Sequence, residues 1–367
     1  MLTSKTVQWA DDEWEWQLKN RVNSLERLRE FANLTPQEEE AVSSTKGTWG
    51  ATPYYASLMD RDDPSCPVRR QLIPAMAEQL NQHGIENYLI HKENRATDEK
   101  RPDSIARQYH DRIAFTVTQV CAIYCRFCFR REMVLDDKTE LNMDVDEGLR
   151  WIREHKEIRD VLVTGGDPFH LSDEKIAYIT RKVQEIPHVG IMRFGTRSVI
   201  ALPHRITPGL KKALSGNQRV PIYVSTHCNH PKELTEYTKK AVYELLSCGV
   251  NVGNQAVLLK GINDDVQTFR QLHIKLLQTR IRPYYVFYCE PVPGSDHFRT
   301  ELLKGRELIE KGLRGLTTGM AQPHYVIATA IGKINLMDEK NIVSINNREY
   351  VLRNYKGETT SIPAIGA

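Results

Sequence analysis

No stretch of this chain stays apolar over the ~20 residues that cross a bilayer. Its opening residues, MLTSKTVQWADDEWEW, are acidic and Trp-rich, without the basic start and apolar run of a secretory signal. The expectation is a cytoplasmic protein with no membrane partner. Charge of one sign is also lacking: 50 Lys and Arg face 47 Asp and Glu, for a formal net charge of +3. Basic residues run together only in pairs such as Arg130–Arg131 and Lys239–Lys240. A basic stripe marks nucleic-acid binders, so no nucleic-acid partner is expected. Low-complexity tracts and internal repeats are missing too. Cysteine is scarce and unevenly placed. Cys121, Cys125 and Cys128 crowd together, while Cys66, Cys228, Cys248 and Cys289 are scattered. An odd, clustered set without a secretion signal argues for metal binding over disulfides. The scattered four read as buried small apolar residues.

What is present has two textures. The first hundred residues are polar and helix-like. Trp16, Leu18, Val22, Leu25, Leu28, Phe31 and Leu34 fall at helical spacing and predict a helix over 11–34. Thr35 and Pro36 supply the N-cap and first turn of another. ATPYYASLMDRDDPSCPVRRQLIP (51–74), rich in Pro and Asp, reads as an extended linker with short turns. From about residue 112, β-rich runs recur: IAFTVTQV (113–120), DVLVTG (160–165), GIMRFGT (190–196), PIYVST (221–226), VNVGNQAVLL (250–259) and RPYYVFYC (282–289), with helix-like stretches between. That alternation means a parallel sheet, and six units are too few to close an eight-stranded barrel. The expected fold is α/β, a partial (β/α)6 TIM-like barrel over 106–310. A helical N-terminal region (1–105) precedes it. A small C-terminal segment (311–367) follows, with a helix at GRELIEKGLRGL and the β-like pieces VIATA, NIVSI and EYVLRNY. In such folds chemistry sits at the C-terminal ends of the strands.

The cysteine cluster stands at such an end. Cys121-x3-Cys125-x2-Cys128 follows the first predicted strand. Iron–sulfur cubanes are usually held by four cysteines. Three thiolates from one loop leave one iron open to the amino and carboxylate groups of S-adenosylmethionine. One electron from the cluster would then split the sulfonium to a 5′-deoxyadenosyl radical. Phe127, just before the third cysteine, fits the same pattern. Zinc is the competing reading, but structural zinc prefers a second C-x2-C pair, which this sequence does not have. After the second strand comes Thr164-Gly165-Gly166-Asp167-Pro168. Paired glycines there allow close backbone approach, either to the methionine end of S-adenosylmethionine or in an ordinary turn.

Beyond these motifs, the chain resembles the lysine 2,3-aminomutase family from about Trp14 to Gly357. The shared series includes TPYYASLMD (52–60), YHDR (109–112), CAIYCRFCFRR, TGGD, STHCNHP (225–231), GNQAVLLKGIND (253–264), RPYYVFYCE (282–290), HFRT (297–300), GLRGLTTG (312–319) and VLRNYKG (351–357). The resemblance implies an isomerase of the radical S-adenosylmethionine type with a [4Fe–4S] cluster, S-adenosylmethionine and pyridoxal 5′-phosphate. It implies a free amino acid as substrate, whose α-nitrogen moves to C3 while bound as an imine. A flavodoxin- or ferredoxin-type protein would donate the electron. Arg130 matches the arginine that takes the substrate carboxylate, Lys333 the lysine that carries pyridoxal phosphate, and Tyr109 and Arg112 residues near its phosphate. Gly165, Gly166, Asp167, His227 and Gln255 match residues on the S-adenosylmethionine side; His227 could equally be structural.

The chain departs from the pattern in several places. The glycine-rich run before the lysine is reduced to AIGK (330–333). Gln108 replaces an arginine, and Phe287 a tyrosine. Of the two aspartates that hold the distal ammonium in lysine enzymes, one is matched by Glu290 and the other by Ala328. One carboxylate still favours a cationic side chain such as that of lysine, ornithine or arginine, unless Glu290 pairs with Arg282 or Arg299. Asp265 stands at a family zinc-cysteine position, so no zinc is expected, and a homo-oligomer is left open. The alternatives are a glutamate 2,3-aminomutase, a lysine-modifying enzyme serving a translation factor, a cluster enzyme without migration, and a non-catalytic redox module.

Overall fold

The computed structural model describes residues 14–80, 101–134, 143–215 and 219–365. Parts of the expected N-terminal helical region, residues 1–13 and 81–100, lie outside the described residues. Every β-rich run becomes a strand. β1 (Ile105–Ala106) pairs antiparallel with β2 (Arg112–Thr116). β3 (Asp160–Thr164), β4 (Ile191–Gly195), β5 (Ile222–Thr226), β6 (Asn251–Leu258), β7 (Arg282–Tyr288) and β8 (His324–Thr329) then add in sequence order, each parallel to the last. β9 (Gly332–Asn335) returns antiparallel to β8. The result is a nine-stranded sheet in the order of the chain, an open half-barrel. VIATA thus belongs to β8 of the main sheet. NIVSI and EYVLRNY enter a separate three-stranded antiparallel sheet of β10 (Ile342–Ile345), β11 (Glu349–Arg353) and β12 (Thr359–Pro363). GRELIEKGLRGL forms the helix Lys304–Gly312.

The helices between strands start where side chains can satisfy their first amides. Asp144, Ser172, Thr207 and Thr235 cap Val145–Glu154, Asp173–Gln184, Pro208–Leu214 and Glu236–Ser247, and Asp265 caps Val266–Gln278 by accepting from the Thr268 N–H at 2.8 Å. Beneath them the outward strand residues Val161, Val163, Met192, Phe194 and Val224 are buried. The inner face is different. A closed barrel fills its interior with layers of side chains. Here Arg112, Leu162, Arg193, Ser225 and Gln255 stay half-buried around a cavity. None of the described helices is long and apolar enough to cross a membrane.

Two N-terminal expectations change. The periodic run over 11–34 is broken into Trp14–Lys19 and Leu25–Phe31, because Val22 forms a β-bridge with Ala51 (2.9 and 3.2 Å) and Ser24 restarts the helix as its cap. The stretch 51–74 is no linker. It folds into short helices, Pro53–Ala56 and Pro67–Leu72, each opening on a proline, a favoured first helical position. Tyr54, Tyr55, Val68 and Leu72 are buried in the main core. Arg69 is fully buried too, paired to Glu38 at 2.6 Å.

Candidate active site

The loop after β2 carries all three clustered cysteines, and the N-terminal region braces it. Tyr124 N–H donates to Gly50 C=O (2.9 Å) and Arg126 N–H to Gln71 C=O (3.1 Å). The Arg126 guanidinium grips Glu78 with two bonds, 3.0 and 2.7 Å, and Arg131 adds a third at 2.8 Å. Burial opposes ionisation of Glu78, yet the two arginines outweigh it and hold its carboxyl below the usual range. Cys121, Cys125 and Cys128 line one cavity of about 310 Å³, and no other described cysteine does. Burial, with the neighbouring Cys125 thiol, pushes Cys128 up to about 11, and burial raises Cys121 as well. Such thiols give up their protons only to a strong cation. Among the described residues no three His, Cys, Asp or Glu side chains converge on one metal ion. A single zinc needs that convergence; a cubane does not, because each thiolate takes a different iron. The donor set fits a cluster with three protein ligands.

The Gly-Gly-Asp turn after β3 locks under this loop. A Cβ on Gly165 (φ +140°) would lie 2.1 Å from the Thr118 carbonyl oxygen, and one on Gly166 2.5 Å from that of Val120. Gly166 N–H donates to Thr118 C=O at 2.7 Å and Asp167 N–H to Val120 C=O at 2.9 Å. The glycines therefore serve close packing of two backbones. Asp167 is 3% exposed, and its carboxylate accepts from the backbone N–H groups of Phe169, Arg197 and Ser198 and from the hydroxyls of Thr196 and Ser198. It ties the ends of β3 and β4 together. Gly166→Ala should destabilise the protein by about 1–3 kcal/mol, because backbone cannot step aside, and should loosen iron retention. Melting and iron content identical to wild type would refute this packing role.

Arg130 stands two residues past Cys128 in the same loop. Its Nη1 donates to Thr164 Oγ1 (2.8 Å) and Gly165 C=O (2.9 Å), which fixes the guanidinium at the cavity edge. Glu290 lies just beyond β7 and lines the same cavity. It is not spent on either suggested arginine. Arg299 pairs with Asp296 (3.0 Å), and Arg282 opens the opposite end of β7. Burial pushes the Glu290 carboxyl up to about 8 against the pull of Arg130 and Lys333.

Lys333 sits on β9 directly across from Ala328 on β8, and AIGK is the tight turn between them. Gly332 (φ +101°) makes that turn with Tyr109 Oη packed where its Cβ would go, at 3.2 Å. Tyr109 Oη accepts the Lys333 N–H at 2.7 Å, and Arg112 stacks on the Tyr109 ring at 3.7 Å. Gln108 donates to Thr329 C=O (2.8 Å), so it buttresses the same hairpin. The Lys333 ammonium lies 5.2 Å from the Tyr285 ring centre and 5.7 Å from that of Phe287. Burial, then the charges of Arg193 and Arg112, lower its amine to about 8. Lys333, Tyr109 and Arg112 also border a second cleft of about 500 Å³, toward the ends where β2 and β8 begin, so they form the wall between the two spaces.

His227, just past β5, and Gln255, within β6, line the cavity. Burial drives the His227 ring down to about 3, and it is bonded to Asn229 Oδ1 at 3.1 Å, so it is a neutral group. One residue escaped the sequence reading. Arg197, just past β4, places Nη1 2.7 Å from Cys125 Sγ, while Nη2 meets Tyr55 Oη, Gln71 Oε1 and Glu233 Oε2. Its place at a strand's C-terminal end was the available signal.

Known proteins resemble this chain along nearly all of its length. A model of the radical SAM superfamily matches residues 115–272; that superfamily implies a [4Fe–4S] cluster, S-adenosylmethionine, a small-molecule substrate and an electron donor. L-lysine 2,3-aminomutase of Clostridium subterminale is 39% identical over 97% of this chain and 85% of that protein. The Bacillus subtilis enzyme of that name is 39% identical over 97% and 74%. Glutamate 2,3-aminomutase of Clostridioides difficile is 37% identical over 95% and 82%. With likeness running through nearly the whole chain, the protein belongs to the lysine 2,3-aminomutase family and is a radical S-adenosylmethionine isomerase.

Proposed function

We propose that the chain is a 2,3-aminomutase of a free, cationic α-amino acid, using pyridoxal phosphate carried on Lys333. The observation that supports this best is one cavity lined by the three cysteines, Arg130, Glu290 and Lys333. When bound, the cluster with S-adenosylmethionine would supply a hydrogen-abstracting radical and pyridoxal phosphate would carry the substrate nitrogen as it moves. The chain's own residues place the reactants. Arg130 offers a planar cation to the α-carboxylate, and because it shares the cysteine loop it sets that carboxylate's distance from the radical source. Glu290 offers one carboxylate to a side-chain cation. Tyr285 and Phe287 form an aromatic wall beside Lys333, and burial with the charges of Arg193 and Arg112 keeps its amine easily deprotonated.

Glu290→Gln should raise KM for the cationic substrate by about 10- to 150-fold, the equivalent of ~1.5–3 kcal/mol for a charge-assisted bond, with kcat less affected. In wild type, KM should fall as pH rises through about 8, since the Glu290 carboxyl is protonated below that pH and a cation favours its ionised form. An unchanged KM in the variant would remove Glu290 from substrate binding. Glutamate is the second reading. Ala328 is neutral, and a protonated Glu290 can donate to a carboxylate. Anaerobic incubation with S-adenosylmethionine, pyridoxal phosphate, dithionite and lysine, ornithine, arginine or glutamate, scored for β-isomers, decides between them. Turnover of none of the four would sink the aminomutase proposal.

A further inference from the structure

We infer that Arg197 tunes the reduction potential of the cluster, holding it less negative through its hydrogen bond to the sulfur of Cys125. The inference rests on Cys125 being a cluster ligand. Arg197 is 7% exposed, and its fork is fixed from several sides. Nη1 lies 2.7 Å from Cys125 Sγ. Nη2 is held by Tyr55 Oη (2.9 Å), Gln71 Oε1 (2.7 Å) and Glu233 Oε2 (2.7 Å). The backbone N–H is anchored on Asp167, and the guanidinium lies over the rings of Tyr55 and Phe127, 5.2 and 5.4 Å from their centres. Its buried Nε has no hydrogen-bond partner. A fold selecting only for stability would avoid that loss; here the orientation that forgoes it is the one that puts Nη1 on the sulfur.

A cationic donor on a thiolate sulfur favours the more negative, reduced state of an iron–sulfur centre, and hydrogen bonds to sulfur are among the groups that set its potential. Glu233, fully buried, works in the opposite direction by partly neutralising the arginine. Tyr55 and Gln71 lie outside the stretch matched by the radical SAM superfamily model. The N-terminal region thereby reaches the cluster's electronics through one side chain. Arg197 is a positioning and tuning residue, with no bond formed or broken at it.

The test is an anaerobic redox titration of iron-loaded protein, each cluster taking one electron from dithionite, followed by electron paramagnetic resonance. In R197K, and in R197M/E233Q, which removes both buried charges together, the reduced-to-oxidised ratio at a fixed potential should fall about tenfold, a shift of about 59 mV for one electron. In E233Q, which frees the arginine's charge, the ratio should rise. Loaded variants with the wild-type midpoint would overturn the inference. So would failure of all three to load iron while wild type loads, since Arg197 would then serve only to assemble the loop. Wild-type protein that loads no iron would instead count against the cysteine assignment.

Discussion

Cys125→Ala should strip the chain of its cluster and abolish turnover. Iron after anaerobic reconstitution should fall to background. Activity should drop by more than the ~10- to 100-fold typical of losing an outer-shell partner of a metal site. The fold should survive, for a reason visible in the packing. Cys125 is half-buried at the cavity wall, and its removal leaves Arg197 still bonded to Tyr55, Gln71 and Glu233. The loop also keeps its anchors through Arg126, Arg131 and Glu78. Cys248→Ala is the matched control: half-buried at the end of the helix Glu236–Ser247, its thiol donates to Leu245 C=O and lines no part of the cavity. It should keep iron and activity. A Cys125→Ala protein that retains both would refute the ligand assignment.

The contrast between those two cysteines shows which features a sequence carries legibly. Cys121, Cys125 and Cys128 are close along the chain, so their spacing alone brings them to one loop. The strand–helix alternation is equally local, and all six β-rich runs became strands. The N-terminal region is less legible because its partners are distant. Val22 breaks a helical pattern to pair with Ala51. Tyr55 and Gln71 meet Arg197 across 142 and 126 positions. Long-range contacts of this kind leave no periodic trace. The glycines of the Gly-Gly-Asp turn were visible as glycines, but only coordinates show that the space beside them is filled by the cysteine loop's backbone. The substrate pocket lies between these cases: Glu290 could be singled out from sequence, whereas its freedom from Arg282 depends on that arginine opening the far end of β7, and from Arg299 on the pair Arg299 makes with Asp296.

Replacing Lys333 should remove covalent pyridoxal phosphate and lower activity by at least about a thousandfold, some 4 kcal/mol in barrier. Lys333→Arg is the cleaner variant, because it keeps a cation beside Glu290, whose carboxyl burial has already raised. Lys333→Ala would remove that cation and raise it further, mixing two effects. The readout is borohydride trapping followed by mass spectrometry, which places the adduct on a named residue and is indifferent to cluster absorbance. The pH dependence has a definite sign. Only the neutral amine attacks an aldehyde, and burial with the nearby arginines brings Lys333 from the ordinary 10.5 to about 8. Attachment should therefore speed up as pH rises and level off above about 8, well before the 10.5 of an exposed lysine. Removing the aromatic wall with Tyr285→Ala should admit water and move that midpoint upward. An adduct on another lysine, or trapping that still climbs toward pH 10 in wild type, would show that Lys333 is not the attachment site.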